Sequence, residues 1–149
     1  MISVRKSTLS DIQIISQYQI KMAFETEAIQ LNPIVVSNGV NHLFKHPEDG
    51  WYWIAEKDNS VVGCCMTLRE WSDWRNGYVL WLHSVYVLPE FRNEGVFRTM
   101  YEYLKDLVLK NDKLKGIRLY VDKSNSKAMS TYRSVGMNGE HYQLFEWMK

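Results

Sequence analysis

The junction at residues 85–98 constrains this chain most, because an apolar strand there runs through a short polar loop into a helix. Residues 78–87 are almost all apolar, β-branched or aromatic, which is typical of a strand buried on both faces. Pro89 ends that strand, since proline has no N–H to donate to a neighbouring strand. Apolar residues at spacings of three and four then predict an amphipathic helix after the loop: Phe97, Met100, Tyr101, Leu104, Leu107 and Val108.

The start of this helix predicts a site for phosphate groups. First-turn N–H groups have no partner within the helix and carry the positive end of its dipole, so the oxygens of a pyrophosphate suit them. Gly95 would let a ligand approach the backbone without meeting a Cβ atom. An ordinary strand-loop-helix junction without a ligand fits these residues equally well, so the choice between the two interpretations depends on other parts of the sequence.

Length and composition favour one soluble domain spanning residues 1–149. A chain of 149 residues with 46% hydrophobic and 23% charged residues can bury one good core and is short for two. Its 18 basic and 17 acidic side chains give a net charge of +1, which is too small to drive nucleic-acid or membrane binding by electrostatic attraction. The expected partner is therefore a small molecule or a protein, and no metal ion is predicted.

The two cysteines and the absence of a targeting pattern predict a cytoplasmic protein. Cys64 and Cys65 are adjacent in an apolar run, so on a strand they face opposite ways and cannot form a disulfide without distortion. We expect reduced core thiols, as a reducing compartment provides. No signal peptide pattern and no apolar run of about 18 residues is present, so secretion and membrane spanning are not expected.

The other elements follow from periodicity and from turn-forming residues. Asn76-Gly77 is a strong hairpin signal, and it ends a loop over residues 71–77 that carries two tryptophans. The strand after the long helix should lie parallel to the strand at 78–87, because the two are joined by a right-handed helical crossover. The predictions in chain order are strand 2–6, helix 12–27, helix 35–44, strands 51–56, 61–70 and 78–87, the long helix, strand 116–121, a helix ending before Gly136, and strand 141–148.

Two motifs in this order resemble the GNAT superfamily of acyl-CoA-dependent N-acetyltransferases. The first is Arg92-Asn93-Glu94-Gly95-Val96-Phe97, which is similar to the family's Arg/Gln-x-x-Gly-x-Gly/Ala loop except that Phe97 replaces the small final residue. The second is residues 125–137, which are similar to Asn-x-x-Ala-x-x-x-Tyr-x-x-x-Gly-Phe except that Met137 replaces phenylalanine. If Phe97 turns toward the apolar stripe of its helix, the backbone amides of the loop can still bind phosphate.

The resemblance implies a fold and a cosubstrate, acetyl-CoA. The fold is α/β (α+β), with a mixed, mostly antiparallel central sheet, a parallel βαβ unit at the coenzyme A site, and helices on both faces. In the family, amides at the end of the strand before the loop bind the pantetheine arm and polarise the thioester carbonyl. The cofactor-binding residues it implies here are Val85, Tyr86, Val87, Arg92, Asn93, Glu94, Gly95, Val96, Phe97, Arg98, Asn125 and Ala128.

The resemblance also implies catalytic residues. Tyr132 matches the tyrosine that protonates the departing CoA thiolate, a task that suits a phenol with a pKa of about 10, although Tyr132 also fits a plain core position. His83 is the leading candidate for the general base, because on a regular strand it would share the face of Val85; a core or cleft histidine is the alternative. A covalent route through Cys64 or Cys65 is rejected, since no activating pair accompanies them.

The expected activity is acetyl transfer from acetyl-CoA to a primary amine, a small molecule or polyamine-like compound, by direct attack in a ternary complex. Glu25, Glu27 and Trp71 are the candidate acceptor-binding residues, because two carboxylates at a helix C-terminus favour a cationic ligand. A solvated helix end is the alternative. Trp71, Trp74, His141 and Tyr142 could form aromatic walls or the surface of a homodimer. Acetylation of proteins or peptides, and an inactive CoA-binding regulatory module, remain alternative functions.

Overall fold

The computed structural model describes residues 1–149, which divide into two compact units, residues 1–118 and residues 119–149. No helix in it has the length and apolar character needed to cross a membrane. Its elements are β1 (Ile2–Lys6), α1 (Ile12–Glu27), α2 (Pro33–Lys45), β2 (Gly50–Lys57), β3 (Ser60–Ser72), β4 (Gly77–Val87), α3 (Val96–Leu109), β5 (Leu114–Arg118) and α4 (Ser126–Ser134), with short 3-10 turns at Leu9–Asp11 and Pro89–Phe91.

The first unit is built on a five-stranded sheet in the order β1-β2-β3-β4-β5. The first three pairings are antiparallel, as short connections between neighbouring strands allow. β4 and β5 are parallel, because α3, which connects them, returns the chain to the edge of the sheet where β4 begins. The mixed, mostly antiparallel sheet with a parallel βαβ unit is thus confirmed.

Helices cover both faces of this sheet. α1 and α2 pack on one face over a core that includes Ile15, Tyr18, Tyr52 and Ile54. α3 packs on the other face, where Tyr103 lies against Trp53, the neighbour of Tyr52 on β2. This alternation follows from the two-residue period of a strand. It fixes which side chains of β4 face the α1 and α2 helices.

The two cysteines obey the same alternation and are both free and buried. Cys64 belongs to the core under α1 and α2, so Cys65, the next residue on β3, faces the other way. Burial raises the pKa of the Cys64 thiol to about 12 and also raises that of Cys65. Both thiols are therefore poor nucleophiles, which agrees with the rejection of a covalent cysteine route.

Two boundaries around the β3–β4–β5 region differ from the sequence predictions. β3 continues to Ser72, so Trp71 lies on a strand, and the predicted loop at 71–77 shrinks to a turn in which Asn76 has φ 47°. β5 runs Leu114–Arg118, earlier than the predicted 116–121, because Tyr78 N–H already binds Lys113 O at 2.8 Å. Hydrogen bonds to β4, rather than the apolar pattern alone, set the limits of β5.

The second unit contains α4 and a C-terminal segment without regular structure. Gly136, with φ 89°, follows the helix at the C′ position, as its sequence predicts. The predicted strand at 141–148 is wrong, since these residues pair with no other strand. Alternating large residues are typical of a strand, but a strand also needs a neighbouring strand for its backbone hydrogen bonds. Phe145 and Trp147, which belong to this pattern, are each 87% exposed.

Candidate active site

β4, the strand before the predicted phosphate loop (residues 88–95), contains a β-bulge. On β3, Cys64 and Met66 are separated by one residue, but their partners on β4, Tyr86 and His83, are separated by two. The extra residue is accommodated by a backbone turn at Ser84, whose φ is 52° although it is not a glycine. Such a bulge bends its strand and reverses the alternation of side chains and amides beyond it.

Beyond the bulge, β4 has one open edge. Its parallel pairing with β5 ends at the pair Trp81 and Arg118. Beyond that pair, β4 has no strand partner on the β5 side within residues 1–118, while it remains paired with β3 on the other. An open edge of this kind exposes backbone N–H and C=O groups to a ligand.

The direction of the amides along this edge follows from the end of the strand. Leu88 N–H donates to Val62 O at 2.9 Å, so it points toward β3. Because directions alternate along a strand, Tyr86 also points its N–H toward β3, whereas Val85 and Val87 point theirs toward the open edge. Of the three residues that the sequence proposes for the pantetheine arm, only Val85 and Val87 direct an amide outward.

The loop after β4 ends in a helix start without a side-chain cap. Asn93 and Gly95 both adopt left-handed conformations, with φ 67° and 83°. Gly95 is the N-cap residue of α3, and no heavy atom lies within 4 Å of the position where its Cβ would stand. The backbone is therefore open to a ligand at the positive end of the α3 dipole, as an anion site requires.

Arg92 joins this loop to the C-terminal end of α1. Its Nε donates to Val87 O at 2.9 Å, and its Nη2 donates to Glu25 Oε2 at 2.6 Å. Tyr86 Oη donates to Glu25 Oε1 at 2.8 Å. Arg92, followed by Tyr86, lowers the pKa of the Glu25 carboxyl, whereas burial, followed by Glu25, raises the pKa of Tyr86 to about 12. The cation expected opposite Glu25 is thus supplied by the chain itself.

Lys57 is a residue of this site that sequence reasoning missed. Its Nζ lies 2.6 Å from Glu94 Oε2, and Glu94 raises the pKa of the lysine. A carboxylate in the predicted phosphate loop would repel a phosphate ligand, and Lys57 offsets that charge. Nothing in the sequence indicates the contact, because Lys57 and Glu94 are 37 positions apart and only the sheet brings them together.

Phe97 turns along its helix, as expected. Its half-buried ring lies 6.2 Å from the ring of Tyr101, one turn further along α3, and the two planes are nearly parallel. Val96 is buried and Arg98 is exposed. The large Phe97 side chain therefore packs along α3. The space next to Gly95, where a ligand could approach the backbone, stays open.

His83 lies on the face of the sheet that α1 and α2 cover. It pairs with Met66, which packs against the core of that face, so the two side chains point the same way. The prediction that His83 shares the face of Val85 is wrong, because the bulge reverses the alternation between them and places His83 with Tyr86 instead. Burial lowers the pKa of His83, and its ring stacks 6.2 Å from that of Trp81.

Most of the chain is similar to a known protein family. A family model described as the acetyltransferase (GNAT) family matches residues 16–137. The chain belongs to the GNAT acetyltransferase family. It is 31% identical over 100 residues to an uncharacterized N-acetyltransferase of Archaeoglobus fulgidus, over 66% of this chain and 67% of the relative.

Solved structures carry the same GNAT fold. A possible acetyltransferase from Clostridium difficile 630 is 36% identical, with a TM-score of 0.92, covering 100% of this chain and 98% of that one. A predicted acetyltransferase from Clostridium acetobutylicum, solved with acetyl-CoA, is 18% identical with a TM-score of 0.73, covering 98% of this chain and 96% of that one. The predicted fold class and family are confirmed.

The second GNAT motif forms α4 and its cap. Asn125 Oδ1 accepts a hydrogen bond from Ala128 N–H at 3.0 Å, which is the usual role of an N-cap side chain. Tyr132 is half-buried, and burial raises its pKa. Tyr132 thus stays protonated at neutral pH, as a general acid must. Contributions of these three residues to cofactor binding or catalysis remain predictions.

The other two acceptor candidates, Glu27 and Trp71, take no part in the hydrogen bonds of Glu25. Glu27 is exposed at the last position of α1. Trp71 is 53% exposed on β3, and its ring meets that of Tyr78 edge-on at 5.2 Å. The structure therefore brings Glu25 together with the phosphate loop, and it gives Trp71 an aromatic partner on the neighbouring strand.

Proposed function

We propose that this GNAT protein transfers an acetyl group from acetyl-CoA to a primary amine by direct attack within a ternary complex. The observation that carries the proposal is the open edge of β4, where Val85 and Val87 direct their N–H groups outward. This edge leads directly into the loop at Gly95 and the start of α3. One ligand with both a thioester arm and a pyrophosphate suits this arrangement.

The donor would lie along this edge. The Val85 and Val87 amides would bind the pantetheine arm and the thioester carbonyl oxygen, stabilising the charge that develops there by a few kcal/mol. The pyrophosphate would bind the backbone at residues 92–98 and the α3 N-terminus. The acetyl-CoA in the Clostridium acetobutylicum structure supports this choice of donor.

The chemistry needs one base and one acid. The amine nitrogen attacks the carbonyl carbon, its surplus proton passes to a base, and the C–S bond then breaks as the sulfur takes a proton. His83 is our candidate base, since its lowered pKa keeps it neutral at pH 7. Tyr132 is our candidate acid on the strength of the motif, and its raised pKa keeps its proton in place.

The acceptor would lie on the side of β4 that faces α1 and α2. Glu25, Tyr86 and His83 all belong to this side of the sheet or to α1. A carboxylate and a neutral imidazole on this side suit a primary amine, which would bind near the carboxylate as the ammonium ion and release one proton to solvent before it attacks. Glu27 and Trp71 remain further candidates for holding the rest of the acceptor.

We further propose a cytoplasmic location and a homodimer. Two free, buried thiols suit a reducing compartment. The C-terminal segment exposes several large apolar side chains, which supports a second copy of the chain as the partner: Tyr142, Leu144, Phe145, Trp147 and Met148. Light scattering of the full chain, with Trp147→Ser and Phe145→Ser as variants that should shift a dimer to monomer, tests this point.

Release of free thiol from acetyl-CoA across a panel of primary amines tests the activity. Wild-type protein should turn over at least one amine, and Tyr132→Phe should lower kcat with little change in the affinity for coenzyme A. Tyr120→Phe is the matched control, since Tyr120 carries the same hydroxyl in the same unit and is 55% exposed.

Three outcomes separate the alternatives. Turnover that is unchanged in Tyr132→Phe would remove Tyr132 as the acid. Thermal stabilisation by coenzyme A without turnover of any amine or peptide would favour a binding module over an enzyme. A protein that binds no coenzyme A at all would contradict the proposal at its base.

A further inference from the structure

The last turn of α2 and the turn that follows it bring two histidines and a carboxylate together. His42 and His46 have ring centroids 4.2 Å apart and planes inclined by 24°. Asp49 Oδ2 lies 3.7 Å from His42 Nε2. One potential ligand atom from each of the three side chains lies within 4.8 Å of the other two. The Glu25 and Arg92 cluster uses none of these residues.

The backbone holds this group in place. His42 and His46 are four residues apart, so they lie one above the other on the same face of α2. His46 ends the helix with its N–H donating to His42 O at 3.0 Å, and Asp49 N–H returns to His46 O at 3.0 Å. Arg69 N–H on β3 donates to Asp49 O at 2.9 Å. A helix end and a sheet hydrogen bond therefore fix both sides of the turn.

A fourth side chain orients one of the histidines. His46 Nδ1 lies 3.1 Å from Glu48 Oε1. When Nδ1 donates its proton to that carboxylate, the lone pair of the ring lies on Nε2, which is the atom free to bind a metal. Carboxylates commonly orient histidine ligands in this way. The C-terminal end of α2 adds the negative end of its dipole, which also favours a cation.

The donor set selects a class of metal. Two imidazoles and one carboxylate suit zinc, copper, nickel or cobalt, whereas magnesium and calcium prefer oxygen ligands alone. Bonds of about 2.1 Å to a tetrahedral ion place two donor atoms about 3.4 Å apart. His42 and Asp49, whose side chains are 60% and 56% exposed, can reach that separation by small side-chain rotations.

We propose that His42, His46 and Asp49 bind one divalent transition-metal ion, with Glu48 positioning His46. Three protein ligands leave the remaining coordination position to water. The ion would join the last turn of α2 to the turn that leads into β2. The sequence does not indicate this site, because Asp49 reaches the two histidines through a turn whose geometry only the structure supplies.

Zinc titration of the full chain, freed of any purification tag, tests the proposal. Isothermal titration at neutral pH with ZnCl2 should give one ion per chain with micromolar affinity. His42→Gln and His46→Gln should each weaken binding by at least about 10-fold, and Glu48→Gln by about 10-fold through the loss of orientation. His141→Gln is the matched control, since His141 lies in the other unit, and it should bind zinc as the wild type does.

Two further measurements keep the outcome clear. In EDTA the thermal midpoint of His42→Gln should equal that of the wild type, and zinc should raise only the wild-type midpoint. Zinc should shift the ring-proton NMR signals of His42 and His46 but leave those of His83 and His141 in place. Zinc binding that His42→Gln and His46→Gln both retain, or no binding at micromolar zinc, would overturn the proposal.

Discussion

Arg92 Nη2 lies 2.6 Å from Glu25 Oε2, and this ion pair links the loop before α3 to α1, the helix on the proposed acceptor side. Arg92 also binds the carbonyl of Val87 on the open edge of β4, so one side chain touches both proposed substrate sites. Both members of the pair are about one-third exposed, at 39% and 34%, so solvent screens the attraction. The pair positions Glu25 more than it stabilises the fold.

Removal of the Glu25 charge should affect the amine more than the donor. We expect Glu25→Gln to raise KM for cationic amines about 10-fold, the effect of losing one charge-assisted hydrogen bond, with little change in KM for acetyl-CoA. Unfolding free energy should fall by only about 0.5–1 kcal/mol, since the pair is partly exposed. Steady-state kinetics with both substrates varied, and chemical denaturation, measure these effects.

Glu27→Gln provides the comparison, because it removes the same charge from the other acceptor candidate on α1, two residues later at an exposed position. A larger rise in amine KM for Glu27→Gln than for Glu25→Gln would contradict the assignment of Glu25. An equal rise in KM for acetyl-CoA and for the amine would instead indicate that Glu25 acts through Arg92 and the loop.

Gly95 allows the charge of the phosphate loop to be changed without changing its shape. Asparagine and aspartate both tolerate the left-handed conformation that φ 83° requires, and the space for a side chain is open. We expect Gly95→Asn to weaken coenzyme A binding modestly and Gly95→Asp to weaken it about 10-fold more, because a carboxylate at this position repels pyrophosphate. Isothermal titration with coenzyme A measures the difference.

The apo stability of the same two variants is the internal control. An aspartate at the N-cap of α3 should stabilise the helix at least as well as asparagine does. Weaker coenzyme A binding by Gly95→Asp, together with equal or greater apo stability, would therefore come from charge. Equal affinities of the two variants would show that no phosphate binds next to Gly95.

The pH dependence of turnover should report on His83. Burial lowers its pKa, so it stays a neutral base down to pH values below the usual histidine pKa of about 6.5. We expect the acid limb of kcat/KM to lie below that value and to vanish or shift in His83→Gln, with kcat reduced by about 100-fold or more. The control His141→Gln should keep the acid limb of the wild type. If His83→Gln also keeps it unchanged, His83 is not the base.

The sequence predicts those features of the site that depend on neighbouring residues, and it misses those that depend on residues far apart in the chain. The strand and loop around Gly95 were predicted correctly because apolar periodicity and glycine conformation are local properties. The face of His83 was predicted wrongly because one additional residue at Ser84 reverses the alternation, and nothing in the sequence indicates it. The pairings of Glu94 with Lys57 and of Arg92 with Glu25 join residues that only the sheet brings together.

Ser84 tests whether the bulge is built into the strand. Its φ of 52° costs a non-glycine residue about 1–3 kcal/mol, and a β-branched side chain costs more. We expect Ser84→Gly to raise the unfolding free energy by up to about 1 kcal/mol and Ser84→Val to lower it by about 1–3 kcal/mol. Since the bulge directs the amides of Val85 and Val87 outward, Ser84→Val should also raise KM for acetyl-CoA.

Ser3 on β1 offers the opposite expectation for the same two substitutions. It is an exposed residue of a regular strand, where glycine is unfavourable and valine is favourable. Ser3→Gly should therefore lower the unfolding free energy and Ser3→Val should leave it unchanged or raise it, the reverse of the order at Ser84. Chemical denaturation of the four variants measures both orders. The same order at the two positions would mean that Ser84 lies in a regular strand, and that the amides of Val85 and Val87 do not face the open edge of β4.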